Sequence, residues 1–211
     1  MSTEKKNYLL PIVVMFALFF MIAFVTNFAG SMGVIVQNQF GATPAMAQLG
    51  TFANFIAYAC MGIPAGLILR RKGYKFTSLL AVIIGFIGVG IQFLSGYAES
   101  FPVYITGAFV AGFSMCLLNI VVNPMLNTLG GGGNKGNQLV QVGGSFNSLM
   151  GTAVIFLTGV FVPDILEAKI SQVFPLMGIA LAIFAVAFIV VLLTNIPENA
   201  PAAVKGEKSQ Y

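Results

Sequence analysis

The chain has no histidine and no tryptophan, only two cysteines, and charge on just 8% of its 211 residues. Its six carboxylates, Glu4, Glu99, Asp164, Glu167, Glu198 and Glu207, all fall in polar stretches between apolar blocks or at the ends. Without imidazole, and with the acids dispersed, no nucleophile with a base, carboxylate pair or metal cluster can be assembled near the middle of an apolar block. The reading is therefore not an enzyme, with no cofactor and no metal. Two cysteines are too few for a disulfide scaffold. The net charge of +4 comes from ten scattered cations, not a basic face, which argues against a nucleic-acid partner.

What the chain has in abundance is apolar side chains: 58% of residues, with a mean hydropathy of +0.93. That excludes disorder and a water-soluble globule, and leaves a membrane protein with the bilayer as its solvent. Runs such as 81–91 and 176–193 are apolar on every face, whereas barrel strands alternate. An all-α membrane protein follows. A spanning helix needs about 20 apolar residues, so six spans use about 120 and leave short loops and two tails. The expected spans are Leu9 to Gln37, Ala45 to Leu69, Thr77 to Tyr97, Pro102 to Leu129, Gly136 to Val162 and Val173 to Thr194. This divides the chain into a tail (1–8), a six-helix domain (9–194) and a second tail (195–211).

Pro11, Pro44, Pro102 and Pro175 fall near helix starts, where the missing N–H costs nothing. Pro64 and Pro124 fall inside spans and should loosen the backbone there. No cleavable signal pattern precedes the first span, which is expected to stay. With an even number of spans both termini share a side. Lys5, Lys6, Arg70, Arg71, Lys72, Lys75, Lys135, Lys205 and Lys208 lie there, against Lys169 alone. The positive-inside rule places that side in the cytoplasm of a plasma (inner) membrane.

Polar groups are unevenly spread. Span 1 carries Thr26, Asn27, Ser31 and Asn38, and span 2 carries Gln48, Thr51, Asn54 and Tyr58. Span 4 carries Asn119, Asn123 and Asn127, and span 5 carries Gln138, Gln141, Ser145, Ser148 and Thr152. Span 3 offers Gln92 and span 6 almost nothing. At helical periodicity Asn27, Ser31 and Asn38 share an arc of about 40°, and the span 4 and span 5 sets each share about 80°. Asn147 points away from the span 5 stripe, toward a neighbouring helix. Single amides serve as interhelical glue, worth about 0.6 kcal/mol each. The set as a whole exceeds what packing needs and predicts a hydrated cavity. Polar faces on spans 1 and 4, then 2 and 5, with 3 and 6 apolar, give a period of three helices, as in 3+3 inverted repeats.

The remaining motifs read as packing and linkage. Gly62 and Gly66, Ala108 and Gly112, and the cluster Gly85, Gly88 and Gly90 mark expected close helix contacts. Cys60 and Cys116 are expected as small apolar fillers. The Gly130–Gly133 run before Lys135 lacks the order of a phosphate loop and reads as a flexible linker.

The tract 63–75, with Gly66, Arg70, Arg71, Lys72 and Gly73, resembles the basic loop between helices 2 and 3 of the major facilitator superfamily, in its fucose/glucose/galactose permease branch. Asn123-Pro124 with Leu129-Gly130, and Ser145-Phe146-Asn147-Ser148, resemble that branch's motifs in helices 4 and 5, and Val25-Thr26-Asn27-Phe28 with Gln39-Phe40 is a weaker match. The resemblance implies one half of a major facilitator fold, ending at Ile196-Pro197-Glu198 where the central loop of a twelve-helix transporter would begin. It implies sugar transport by alternating access against a second six-helix domain. Amides suit a polyol because each offers donors and an acceptor, which makes Asn27, Gln48, Asn119, Asn123 and Gln141 the candidate sugar-binding residues. Ser31, Asn38, Tyr58, Asn127 and Ser145 are the candidate cavity lining. Gly30 and Asn119 stand where the fucose permeases carry proton-linked carboxylates. Arg70 replaces the loop's usual acid, and Gly144 replaces a Gln whose role Gln141 could take. The rival readings are a half-size homodimeric transporter and a membrane-embedded binding or scaffold subunit without a transport cycle.

Overall fold

The computed structural model describes residues 9–164 and 167–196. The two tails, with Lys5, Lys6, Lys205 and Lys208, lie outside the described residues. The first helix, α1 (Leu9–Phe40), is followed by a single turn, α2 (Pro44–Ala47), whose N-cap Thr43 accepts a hydrogen bond from the Met46 N–H at 3.3 Å. Then come α3 (Leu49–Ala98), α4 (Phe101–Leu129) and α5 (Gly133–Phe161). A 3-10 turn (Ile170–Val173) leads into α6 (Phe174–Leu193). The described chain is thus all helical, with five helices long and apolar enough to cross a membrane.

One of the five is unlike the others. A straight helix of the 50 residues of α3 would reach about 75 Å, more than twice a hydrocarbon core of about 30 Å. It breaks at Gly73, where φ is 81° and ψ is 179°, a conformation essentially confined to glycine. Contacts with α4 show what the break does. In the first arm, Gly50 seats against Tyr104, Asn54 bonds to Ala108, and Asn54 and Ala57 meet Gly112, so residue numbers rise together. In the second arm, Gln92 meets Gly107, Gly88 meets Ala111, and Ala81 accepts from the Ser114 hydroxyl at 2.7 Å, so they run oppositely. The two arms are therefore antiparallel. The stretch 70–76, which the sequence suggests is a loop, is helical on both sides of one glycine.

The same contact logic orders the rest. Thr26 of α1 reaches Met115 of α4, while Phe19 meets Gly143 of α5 beside Leu126, so α1 runs against α4 and along α5. Phe174 and Phe184 of α6 sit on Gly96 and Gly85 of the second arm of α3, again antiparallel. The start of α1, the break at Gly73, the α4–α5 turn and the end of α6 consequently lie at one end of the bundle.

The core is α1 and α4, whose Met15, Leu18, Met32, Leu117, Leu118 and Met125 are fully buried. Because lipid is as apolar as leucine, such helices associate through close packing, and small residues decide where they can approach. Ala108, Gly112, Gly85 and Gly88 do this: a methyl group on Gly88 would stand 2.6 Å from the Ala111 nitrogen. Gly62, Gly66 and Gly90 do not, for nothing lies within 4 Å of their Cβ positions. The expected close contact at Gly62 and Gly66 is absent within the described residues. Of the cysteines, Cys116 fills the core, whereas Cys60 is exposed rather than filling space.

The glycine run between α4 and α5 forms a hydrogen-bonded turn linking the two helices. Gly131, Gly132 and Gly133 have φ of 88°, 73° and 54°, and Gly130, Gly131 and Gly132 donate back to the carbonyls of Leu126, Thr128 and Asn127. Gly132, with ψ near −176°, repeats the conformation of Gly73. A linker was expected from composition; the repeated left-handed φ values make glycine a conformational requirement there.

Candidate functional site

Polar side chains inside the bundle fall into groups that their neighbours separate. On α1 the hydroxyl of Thr26 donates to Ile22 O and to Met115 Sδ, each at 2.9 Å, tying α1 to α4. One residue on, Asn27 Nδ2 donates to Ala23 O at 2.8 Å, and Ser31 donates to Asn27 O at 3.0 Å. All three are half-buried. Gly151 of α5 passes directly over this amide, and a methyl group there would come within 2.6 Å of Asn27 Nδ2. Gly30 is exposed with open space at its Cβ position, so the point where the resemblance calls for a carboxylate is an unfilled notch beside Ser31.

On α4, one turn beyond Met115, Asn119 Nδ2 donates to Met115 O at 3.0 Å. Asn123 Nδ2 donates to Asn119 O at 3.1 Å and approaches Asn119 Oδ1 at 3.4 Å. The two half-buried amides are therefore one linked pair. Asn127, the third member of the stripe, bonds instead to Asn137 Oδ1 at 2.7 Å, holding α4 to α5 at their turn.

The largest polar surface is on α5. Gln138, Gln141, Ser145, Ser148 and Thr152 are all exposed, and the three hydroxyls donate to carbonyls of their own helix at 3.1–3.2 Å. With their protons committed to the backbone, these hydroxyls offer lone pairs outward. Gly144, in their midst, has nothing within 4 Å of its Cβ position. Asn147 is half-buried with its Oδ1 enclosed and, among the described residues, without a hydrogen-bond partner. A buried acceptor left open is uncommon. The helical-wheel reading set Asn147 aside because it leaves the stripe; only the packing shows that its oxygen is unsatisfied.

The remaining candidates lie elsewhere. Gln48 is exposed, with its Nε2 3.7 Å from where a Gly33 Cβ would stand, and Asn38 is exposed toward the same end of α1. Tyr58 is half-buried against the core. Arg70, Arg71 and Lys72 are exposed at the break of α3, with Gly66 half-buried below them. The structure thus brings Thr26, Asn27 and Ser31 beside α5 and links them through Met115 to Asn119 and Asn123, leaving Gln48, Asn38 and Asn127 toward the ends.

Three cavities complete the geometry. One of about 360 Å³ lies between the C-terminal halves of α1 and α5, with Ser31 and Thr158 among otherwise apolar lining. A groove of about 210 Å³ runs along α5 at Val142, Ser145, Phe146 and Leu149. The third, about 320 Å³ between the second arm of α3 and α6, is lined only by apolar residues such as Phe86 and Phe188. No group of three metal-ligating side chains occurs among the described residues.

No protein-family model matches the chain. Among curated proteins, it is 24% identical over 209 residues to a glucose/galactose transporter of Brucella abortus, covering 95% of this chain and 50% of that one. It is 23% identical over 155 residues to the L-fucose-proton symporter of Escherichia coli, covering 72% of this chain and 35% of that protein. The chain spans about half the length, or less, of the curated relatives it matches. Among solved structures, the crystal structure of FucP, a major facilitator superfamily transporter in the outward conformation, superposes with a TM-score of 0.75 at 20% identity. That match covers 96% of this chain and 55% of FucP. The fold is therefore that of about half a major facilitator transporter, and the chain's relatives are sugar transporters, not enzymes.

Proposed function

We propose that this chain is the amino-terminal half of a major facilitator sugar transporter, moving a hexose or fucose-like sugar by alternating access. In this reading each arm of α3 crosses the bilayer, so six spans form a 3+3 inverted repeat with both termini cytoplasmic. The second six-helix domain is the rest of a longer chain or another copy.

The observation that carries the reading is the exposed polar face of α5. Five amide or hydroxyl side chains on a membrane-length helix, open to the surroundings of the described chain, would leave polar groups against hydrocarbon if that face met lipid. A water-filled path or a second domain solvates them. The flanking amides of Asn27, Asn119, Asn123 and Asn147 give a neutral polyol both donors and acceptors. Rocking of one bundle against another around such a midplane site is how inverted-repeat transporters work. Gly30 supplies no proton acceptor at its position on α1, and Asn119 supplies none on α4.

Uptake of labelled glucose, galactose and fucose into cells expressing the gene tests the reading. Asn119→Leu is expected to lower uptake at least about tenfold, the effect of losing about 1.4 kcal/mol of substrate interaction, while the protein still inserts and folds. Unchanged uptake by that variant removes Asn119 from the site, and no uptake of any sugar by the parent protein overturns the assignment.

A further inference from the structure

Charge is divided between the two ends of the bundle. The end holding the Gly73 break carries Arg70, Arg71, Lys72 and Lys75, with Lys135 in the first turn of the neighbouring α5, and among the described residues no carboxylate. The opposite end carries Glu99, which caps α3, with Asp164, Glu167 and Lys169 in the connection to α6. Arg70, Arg71 and Lys72 are consecutive, exposed and on the last helical turn before the break, so their side chains fan out from one helix end. The Lys72 ammonium stands 5.8 Å from the centroid of the Phe76 ring across the break. That ring is 46% exposed, and Leu67, one turn below Arg71, is 49% exposed. Exposed hydrocarbon thus flanks two of the cations, Leu67 one helical turn from Arg71 and Phe76 beside Lys72.

We propose that this surface binds an anionic phospholipid, with Arg70, Arg71 and Lys72 holding the headgroup phosphate and Leu67 and Phe76 contacting its acyl chains. Phosphate oxygens suit the guanidinium forks of arginines, and the Lys72 ammonium adds a third donor group beside them. A soluble phosphate would satisfy the cations and leave the apolar flank unused. A phospholipid satisfies both, because the basic turn closes a helical hairpin of bilayer length and so stands at headgroup depth. This inference does not depend on what the protein transports.

The test uses the full chain purified in an uncharged detergent, with bound lipid counted by native mass spectrometry. Phosphatidylglycerol and phosphatidylcholine of identical acyl chains are titrated at about 50 mM and about 500 mM salt, because screening shortens the reach of charge several-fold over that range. At low salt phosphatidylglycerol is expected to bind at least about tenfold more tightly, falling to within about threefold at high salt. Replacing all three cations (Arg70→Gln, Arg71→Gln, Lys72→Gln) should remove the preference, and Lys169→Gln at the other end should leave it intact. Equal binding of the two lipids by the unaltered protein, a salt-independent preference, or a preference surviving the triple substitution overturns the proposal. Displacement of the lipid by an equal concentration of glycerol 3-phosphate also overturns it, in favour of a soluble-phosphate site. The salt series on the unaltered chain decides the matter even if the triple variant does not fold.

Discussion

The first arm of α3 and α5 carry the same kind of sequence signal, amides and hydroxyls along an otherwise apolar helix, and the structure uses them differently. On the arm, Thr51 donates to Ala29 O of α1 at 3.4 Å and Asn54 donates to Ala108 O of α4 at 3.3 Å, with Asn54 only 2% exposed. Those groups join helices. On α5, Gln138, Gln141, Ser145, Ser148 and Thr152 face outward and their hydroxyls bond only within their own helix. The lesson is that a polar stripe on a membrane helix says the face must be solvated, and the neighbours determine whether protein or water does it.

The sharpest way to break the comparison is to strike the arm's packing. Gly112 lies against the backbone of Asn54 and against Ala57, so the side chain of Gly112→Val has backbone, not a flexible side chain, in its way. Overpacking of this kind typically costs about 1–3 kcal/mol, and the rigid obstacle places this variant near about 3 kcal/mol. Thermal unfolding in detergent should show a large drop, and a midpoint unchanged from the parent would mean the arm is not seated as described. The next effect in size belongs to α5. Gln141→Leu should lower sugar uptake about tenfold, equivalent to about 1.4 kcal/mol, while leaving the unfolding midpoint unmoved, because the side chain is exposed. A variant that transports normally would make the α5 face a mere docking surface. Smallest is Asn54→Leu, which removes one interhelical hydrogen bond and keeps the volume. Loss of about 1 kcal/mol of stability with unaltered uptake is expected, from the modest worth of such bonds in membranes. If uptake fell instead, the division between joining and open polar groups would be wrong.

Several features were legible from residues alone. Four of the six expected spans appear as single membrane-length helices, the second and third fall on the two arms of α3, and Pro44, Pro102 and Pro175 occupy first turns as expected. Ala108 with Gly112, and Gly85 with Gly88, do mark close contacts. The misreadings share a cause. Gly62 and Gly66 carry the same spacing as contacting pairs but meet nothing within the described chain, because spacing identifies a smooth helix face and not its occupant. The spans leave 70–76 as a loop, yet glycine's access to positive φ lets the single residue Gly73 reverse an otherwise helical stretch. Asn127 shares an arc with Asn119 and Asn123 but stands at the helix end, where Asn137 of the next helix is within reach.

The sequence by itself determined that the chain lives in a bilayer, how its apolar blocks divide it, and on which faces its amides fall. These are local properties, set by hydropathy along the chain and by the 3.6-residue period. Only the tertiary structure decided which amides are spent between helices, that the Asn147 oxygen is enclosed without a partner among the described residues, and that five cations gather at an end without a described carboxylate. Those depend on which helix lies beside which and in what direction, and direction here is set by single glycines whose backbone freedom no average over neighbouring residues can show.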